Sequence, residues 1–221
     1  MKPKLRALSP QLVARAKKID IALRVAFSDA KCSLNYANPL QLLIATILSA
    51  QCTDARVNMV TPALFARYKT AADFANSDPA ELEKLIQSTG FFRSKAKSIR
   101  EACKDIVALH AGKVPDDLEA LHALHGVGRK TANVVLGNAF NVPGMVVDTH
   151  VGRISRRLGL TKNTDPVKVE QDLMRIFPKE RWTSLGHEMI LLGRKFCKAP
   201  TPRCGGCPIV ELCPYKGKVF E

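Results

Sequence analysis

Between residues 121 and 151 the chain joins a glycine hairpin to an acid-bearing turn, and no other stretch restricts its fold so tightly. The hairpin reads Leu121-His122-Ala123-Leu124-His125-Gly126-Val127-Gly128-Arg129-Lys130-Thr131-Ala132, and the turn Val147-Asp148-Thr149-His150-Val151. Gly126 and Gly128, flanked by apolar residues, predict one short helix that ends at the turn and a second that begins near Gly128. Lys130 then falls in the first turn of the second helix. Open backbone N–H groups and the positive end of the helix dipole suit a phosphate there, and the same field disfavours an ammonium. An amine that sheds its proton easily is a nucleophile. Asp148 starts the following helix eighteen residues later. By residue type it is an N-cap, and its carboxylate can also orient the amine and stabilise cationic intermediates. Read alone, Lys130 would be a surface lysine on a phosphate; in register with Asp148 it becomes a candidate catalytic group.

A cysteine quartet marks the C-terminal region: Cys197, Cys204, Cys207 and Cys213, spaced C-x6-C-x2-C-x5-C within seventeen residues. Four thiolates this close in sequence, with Gly205-Gly206 between two of them, can close around one metal centre. Tetrahedral zinc usually draws on two separated C-x-x-C knuckles, and only one such pair is present. A [4Fe–4S] cubane also takes four thiolates, often from a continuous run. Ligand type alone leaves zinc and iron–sulfur open.

The stretch Leu124 through Ala132, followed by Val147-Asp148-Thr149-His150, resembles the helix-hairpin-helix DNA glycosylases and, within them, the endonuclease III branch. The family hairpin runs Leu-Pro-Gly-Val-Gly-Arg-Lys-Thr-Ala, so His125 stands where the family usually has proline. That exchange softens a turn that proline would pre-set. The cysteine spacing is similar to the endonuclease III cluster loop, and the resemblance therefore implies a [4Fe–4S] cofactor on Cys197, Cys204, Cys207 and Cys213. It further implies Lys130 as nucleophile and Asp148 as its acid–base partner. Leu48-Ser49-Ala50-Gln51-Cys52-Thr53-Asp54 is similar to the family's Leu-Ser-Ala-Gln-x-Thr-Asp, where the glutamine enters the space left by a flipped nucleotide. Phe91 and Phe92 follow Gly90, and the family register selects Phe91 as an apolar wedge in the base stack. Gly126, Gly128 and Arg129 are the hairpin's expected DNA contacts. His150 divides between a phosphate contact and a structural hydrogen bond.

Charge agrees with such a partner. Thirty-four Lys and Arg against twenty Asp and Glu leave a formal +14 over 221 residues, which calls for a dense anion, nucleic acid first. Lys198 and Arg203, inside the cysteine loop, are expected on phosphates, with Lys95 and Lys97 near the wedge; Arg153, Arg156 and Arg157 read as a solvated helix face. A membrane surface is disfavoured: the longest apolar run, residues 42–50, is too short to span a bilayer, and no leader-like segment follows Met1, so a cytoplasmic monomer is expected. Seven cysteines, four of them clustered as ligands, fit a reducing compartment, with Cys32, Cys52 and Cys103 as buried thiols.

Helical period and punctuation recur along nearly the whole chain. Ser9-Pro10 and Asn38-Pro39 open helices, the second with an almost wholly apolar body over 40–48; further helices are expected at 54–68, 78–89, 94–111, 148–158, 165–177 and 179–196. About ten helices make an all-α protein. The resemblance implies two lobes with a DNA cleft between them: a six-helix domain over 33–143 containing the hairpin at 121–140, and a discontinuous cluster domain pairing 1–32, with its basic tail, to 144–221. It implies a bifunctional glycosylase and abasic-site lyase acting on damaged pyrimidines in double-stranded DNA. Two alternatives remain: an adenine-specific mismatch glycosylase, whose carboxylate has no counterpart over 40–51, and a non-enzymatic DNA-binding relative, which the Lys130 and Asp148 pair argues against.

Overall fold

The computed structural model describes residues 8–220, so the basic run Lys2, Lys4 and Arg6 lies outside the described residues. Among these residues every regular element is helical. The chain divides into two compact units, one contiguous from Cys32 to Gly144, the other combining the segment up to Lys31 with everything from Met145.

The contiguous unit carries α2 (Pro39–Leu48), α3 (Asp54–Arg67), α4 (Ala71–Ala75), α5 (Pro79–Ile86), α6 (Phe92–His110), α7 (Leu118–Ala123) and α8 (Arg129–Ala139). Side chains cap the starts that the sequence marks: Asn38, Thr53, Asp78 and Asp117 each accept an N–H from the first turn of the helix they precede. Helix α2 is the unit's axis. Leu42, Leu43, Ile44, Ala45 and Leu48 are all buried, and α2 packs against α3, α6 and α8. Its one polar interior group, Thr46 Oγ1, donates to the Leu42 carbonyl at 2.7 Å. Helix α4, a five-residue element held by a Thr70–Asp73 capping box, raises this unit's α-helices to seven where six are expected. Of the three thiols outside the quartet only Cys103 is fully buried, and burial pushes it up to about 12; Cys32 and Cys52 are half-buried.

The second unit is built from α1 (Pro10–Ala26), α9 (Thr149–Arg157), α10 (Pro166–Ile176) and α11 (Trp182–Lys195). Ala16, Ile19 and Leu23 of α1 join Val151, Ile154, Leu173, Leu185, Met189 and Leu192 in one apolar core. A buried ion triad fixes the N-terminal helix to this core. Arg181 Nε donates to Asp20 Oδ1 at 2.8 Å, and Arg181 Nη2 to Glu188 at 2.7 Å. The long final helix expected at 179–196 is shorter: residues Lys179–Arg181 form a 3-10 turn, and the α-helix runs Trp182–Lys195. Replacing Arg181 with Met is expected to cost about 3–5 kcal/mol, because the buried Glu188 loses its cation and Asp20 keeps only the longer contact to Arg24 at 3.6 Å. Urea unfolding measures it, and a loss under about 1 kcal/mol would show that the triad contributes little net stability.

Candidate functional site

In the contiguous unit the hairpin is α7, a five-residue turn and α8. Gly126 holds φ +71°, and a Cβ there would come within 2.9 Å of the Ser98 side chain, so the turn lies flat on α6 only because the residue is glycine. His125 adds a second tie. Its backbone N–H donates to Asp105 Oδ2 of α6 at 2.8 Å, a bond that proline could not make, so the expected softening is offset by an anchor. His122 Nδ1 lies 3.0 Å from the Val127 carbonyl across the turn. Gly128 is the N-cap of α8 and supplies no side-chain cap, which leaves this helix start suited to an anion. Lys130 is exposed in the first turn of α8, as the sequence predicts, and Arg129 beside it is half-buried.

Two further turns of the same unit carry Gln51 and Phe91. Both residues are exposed, and both adopt left-handed backbone, φ 51° and 46°, which is uncommon outside glycine. Phe91 is 67% exposed despite being a large apolar side chain, while Phe92 folds inward against the core. Lys95 corrects an expectation. It is buried, with Nζ donating to the Leu48 and Thr89 carbonyls at 2.8 Å each, and so is no surface contact for phosphate. Burial pushes its amine below the usual lysine value, against an opposing influence from Cys52. Lys97, two residues on, is exposed.

The second unit holds Asp148, His150 and the cysteine loop. Asp148 caps α9, its Oδ1 accepting the Val151 N–H at 2.8 Å. His150 packs against α11 at Gly193, where any Cβ would stand 2.5 Å from Nδ1, and Arg153 Nη2 donates to that nitrogen at 3.1 Å. Arg153 and Arg157 are not a solvated face. Arg153 donates to the Cys197 carbonyl at 2.9 Å; Arg157 donates to Cys197 Sγ at 3.3 Å, to the Lys198 carbonyl at 2.8 Å and to the Pro200 carbonyl at 2.7 Å, and lies over the Tyr215 ring. Arg156, between them, is exposed as expected. The four cysteines line one cavity together with apolar groups such as Ile154, Leu192, Phe196 and Ile209 and with the basic residues Arg157, Arg203 and Lys218. They surround it without converging: among the described residues no three His, Cys, Asp or Glu stand close enough to hold a single ion. Burial raises the Cys207 thiol above its ordinary value, the Ile209 N–H lowers it, and the nearby Cys204, Cys197 and Cys213 raise it again. Lys198 is half-buried and Arg203 exposed on the loop between Cys197 and Cys204.

Residues 44–179 match the family model described as HhH-GPD superfamily base excision DNA repair protein. Endonuclease III of Synechocystis is 54% identical over 90% of this chain and 92% of its own, and that of Escherichia coli K12 is 40% identical over 93% and 98%. The chain belongs to the endonuclease III family. A solved endonuclease III in a trapped covalent complex with DNA, described as an estranged-adenine complex, superposes with TM-score 0.88 at 44% identity, covering 94% of this chain and 97% of that one. A non-covalent endonuclease III–DNA complex gives 0.87 at the same identity, over 94% and 96%.

Against that endonuclease III background the residues that sequence reading missed are the ones whose partners are carbonyls. Arg153 and Arg157 sit four apart on one face of α9, a spacing that marks a shared contact, yet nothing in the sequence says the contact is the backbone of the cysteine loop. Lys95 gives even less away. Its neighbours Ala96 and Ile99 are apolar, but a lysine beside them reads as solvated unless its acceptors are known.

Proposed function

We propose that this chain is a bifunctional DNA glycosylase and abasic-site lyase of base excision repair that removes oxidised pyrimidines from duplex DNA. The observation that carries this reading is Lys130 in the first turn of α8, on a glycine start without a side-chain cap, in a chain so similar to an endonuclease III trapped covalently on DNA. The damaged nucleotide is extruded, since its C1′ cannot be reached within the stack. Gln51 fills the vacated space and Phe91 wedges the stack. Lys130 Nζ attacks C1′; the N–C1′ bond forms as the glycosidic bond breaks and the base leaves with a proton. The sugar ring opens to an imine. Loss of a C2′ proton then expels the 3′ phosphate by β-elimination. Asp148 takes the proton that the amine gives up and balances positive charge on the sugar, while its cap bond keeps the carboxylate in place.

Gly126, Gly128 and Arg129 contact one stretch of phosphates, His150, Lys198 and Arg203 another. Cys197, Cys204, Cys207 and Cys213 hold a [4Fe–4S] cluster, for which thiolates set around a volume are the suitable ligands. Bound there, the cluster cross-links the loop and supplies no step of base removal. Arg157, donating to Cys197 Sγ, offsets the negative charge of the ligand set. A reducing cytoplasm suits four thiolate ligands and three further cysteines outside any disulfide, and a monomer suffices for this chemistry. Borohydride trapping on duplexes carrying thymine glycol, an abasic site or an A·G mismatch tests the reading. A covalent adduct is expected with the first two. An adduct with the mismatch alone, or with none, would overturn it.

A further inference from the structure

Buried lysines are rare and seldom lack a carboxylate partner, yet Lys95, 5% exposed, is held by two main-chain carbonyls. Those carbonyls belong to the two turns that present Gln51 and Phe91. Leu48 is the last residue of α2, three positions before Gln51, and Thr89 ends a 3-10 turn two positions before Phe91. Lys95 enters from the first turns of α6, where side chains slope back toward the helix start. Its backbone N–H also donates to the Phe91 carbonyl, at 3.0 Å. One amine therefore spans two turns that are distant in sequence. Desolvating an ammonium is costly, and an apolar side chain would fill the same space more cheaply, but it could not join the two backbones. Both presented residues are also left-handed, at φ 51° and 46°, a conformation that persists where the surroundings over-determine it.

We infer that Lys95 is a positioning residue that locks the Gln51 and Phe91 turns to each other, so that the polar filler and the apolar wedge enter the base stack as a single rigid tool. The inference rests on the proposed DNA roles of Gln51 and Phe91. Its test uses the full-length protein and a duplex with 2-aminopurine opposite a tetrahydrofuran abasic analogue, whose fluorescence rises as the stack is opened. In Lys95→Met the fluorescence step should fall by about tenfold, as expected when a remote change misplaces working groups. Cleavage at a true abasic site should show the same selectivity: the duplex rate should fall at least about fivefold relative to the rate on single strands, where no stack needs opening. A merely structural lysine would lower both rates together and leave their ratio intact, and that outcome overturns the inference. Should Lys95→Met fail to fold, Lys95→Gln, which retains a donor, is read by the same ratio. Gln51→Ala and Phe91→Ala separate the two levels. If they reduce the fluorescence step and Lys95→Met does not, Lys95 positions nothing; if neither reduces it, the filler and wedge roles fall and this inference falls with them.

Discussion

Lys130→Gln should abolish both base excision and borohydride trapping while DNA affinity changes by no more than a few-fold. The reason is a difference in kind between the two tasks. Trapping needs an amine that can form a covalent bond to C1′, and an amide cannot form an imine, so the loss is complete and no higher enzyme concentration recovers it. Binding needs positive charge summed over a surface, and Lys130 is one of thirty-four Lys and Arg in the chain. Removing one phosphate contact shifts the salt dependence by roughly one unit of slope. Rates are read by single-turnover cleavage of a thymine glycol duplex and affinity by titration of an abasic analogue that cannot react. Trapping that survived the change would move the nucleophile to another amine, with Lys97 the first to test because it is exposed. Asp148→Asn supplies the matching control. The amide oxygen can still accept the Val151 N–H, so the protein should melt as before while turnover falls by about two orders of magnitude, the usual worth of a positioned general base.

Cys204→Ser should produce the second large effect, and it should be a loss of structure before it is a loss of chemistry. The wild-type protein is expected to be brown, with iron near about four atoms per chain and little zinc. The variant should lose the colour, melt at a lower temperature and bind DNA more weakly. Ligand binding free energy at such a site is folding free energy. The loop that Cys204 closes is tied at its base by the Arg203 N–H to the Phe196 carbonyl at 2.7 Å, and along its length by Arg153 and Arg157. Releasing one ligand frees Lys198 and Arg203 from a set position, so the salt slope of binding should flatten by roughly one unit for each contact given up. A colourless protein with stoichiometric zinc and full activity would exclude the iron–sulfur cluster and leave the lysine chemistry untouched.

The sequence was most legible where a single residue type has a single local job. Ser9, Asn38, Asp148 and Asp165 mark helix starts because their side chains accept an N–H three residues on, and Pro10, Pro39 and Pro166 follow three of them at a position that needs no donor. The hairpin was legible for the same reason: Gly126 and Gly128 are local requirements. What stayed hidden depends on distant partners. Helix α4 is too short to show a period, and its Thr70–Asp73 box resembles an ordinary polar turn. Arg181 gathers Asp20 and Glu188 into one buried triad, and Asp20 lies in a helix at the other end of the chain. His125 departs from the family hairpin, and what compensates for it, the bond from its N–H to Asp105, comes from a helix twenty residues away.

The clasp on the N-terminal helix sets an order of events on the ribosome. Asp20 is made 161 residues before Arg181, its partner, and Glu188 comes later still. At about 5–20 residues per second, α1 waits on the order of ten to thirty seconds with Ile19 and Leu23 unsatisfied. The contiguous unit, by contrast, is complete as soon as Gly144 has been joined. A nascent chain therefore carries one finished body followed by a growing one, with a sticky amphipathic helix at its head that can close only on the last third of the protein. Holding factors that bind exposed apolar helices would meet this chain at α1, and slowed translation of the final third would lengthen that exposure in direct proportion.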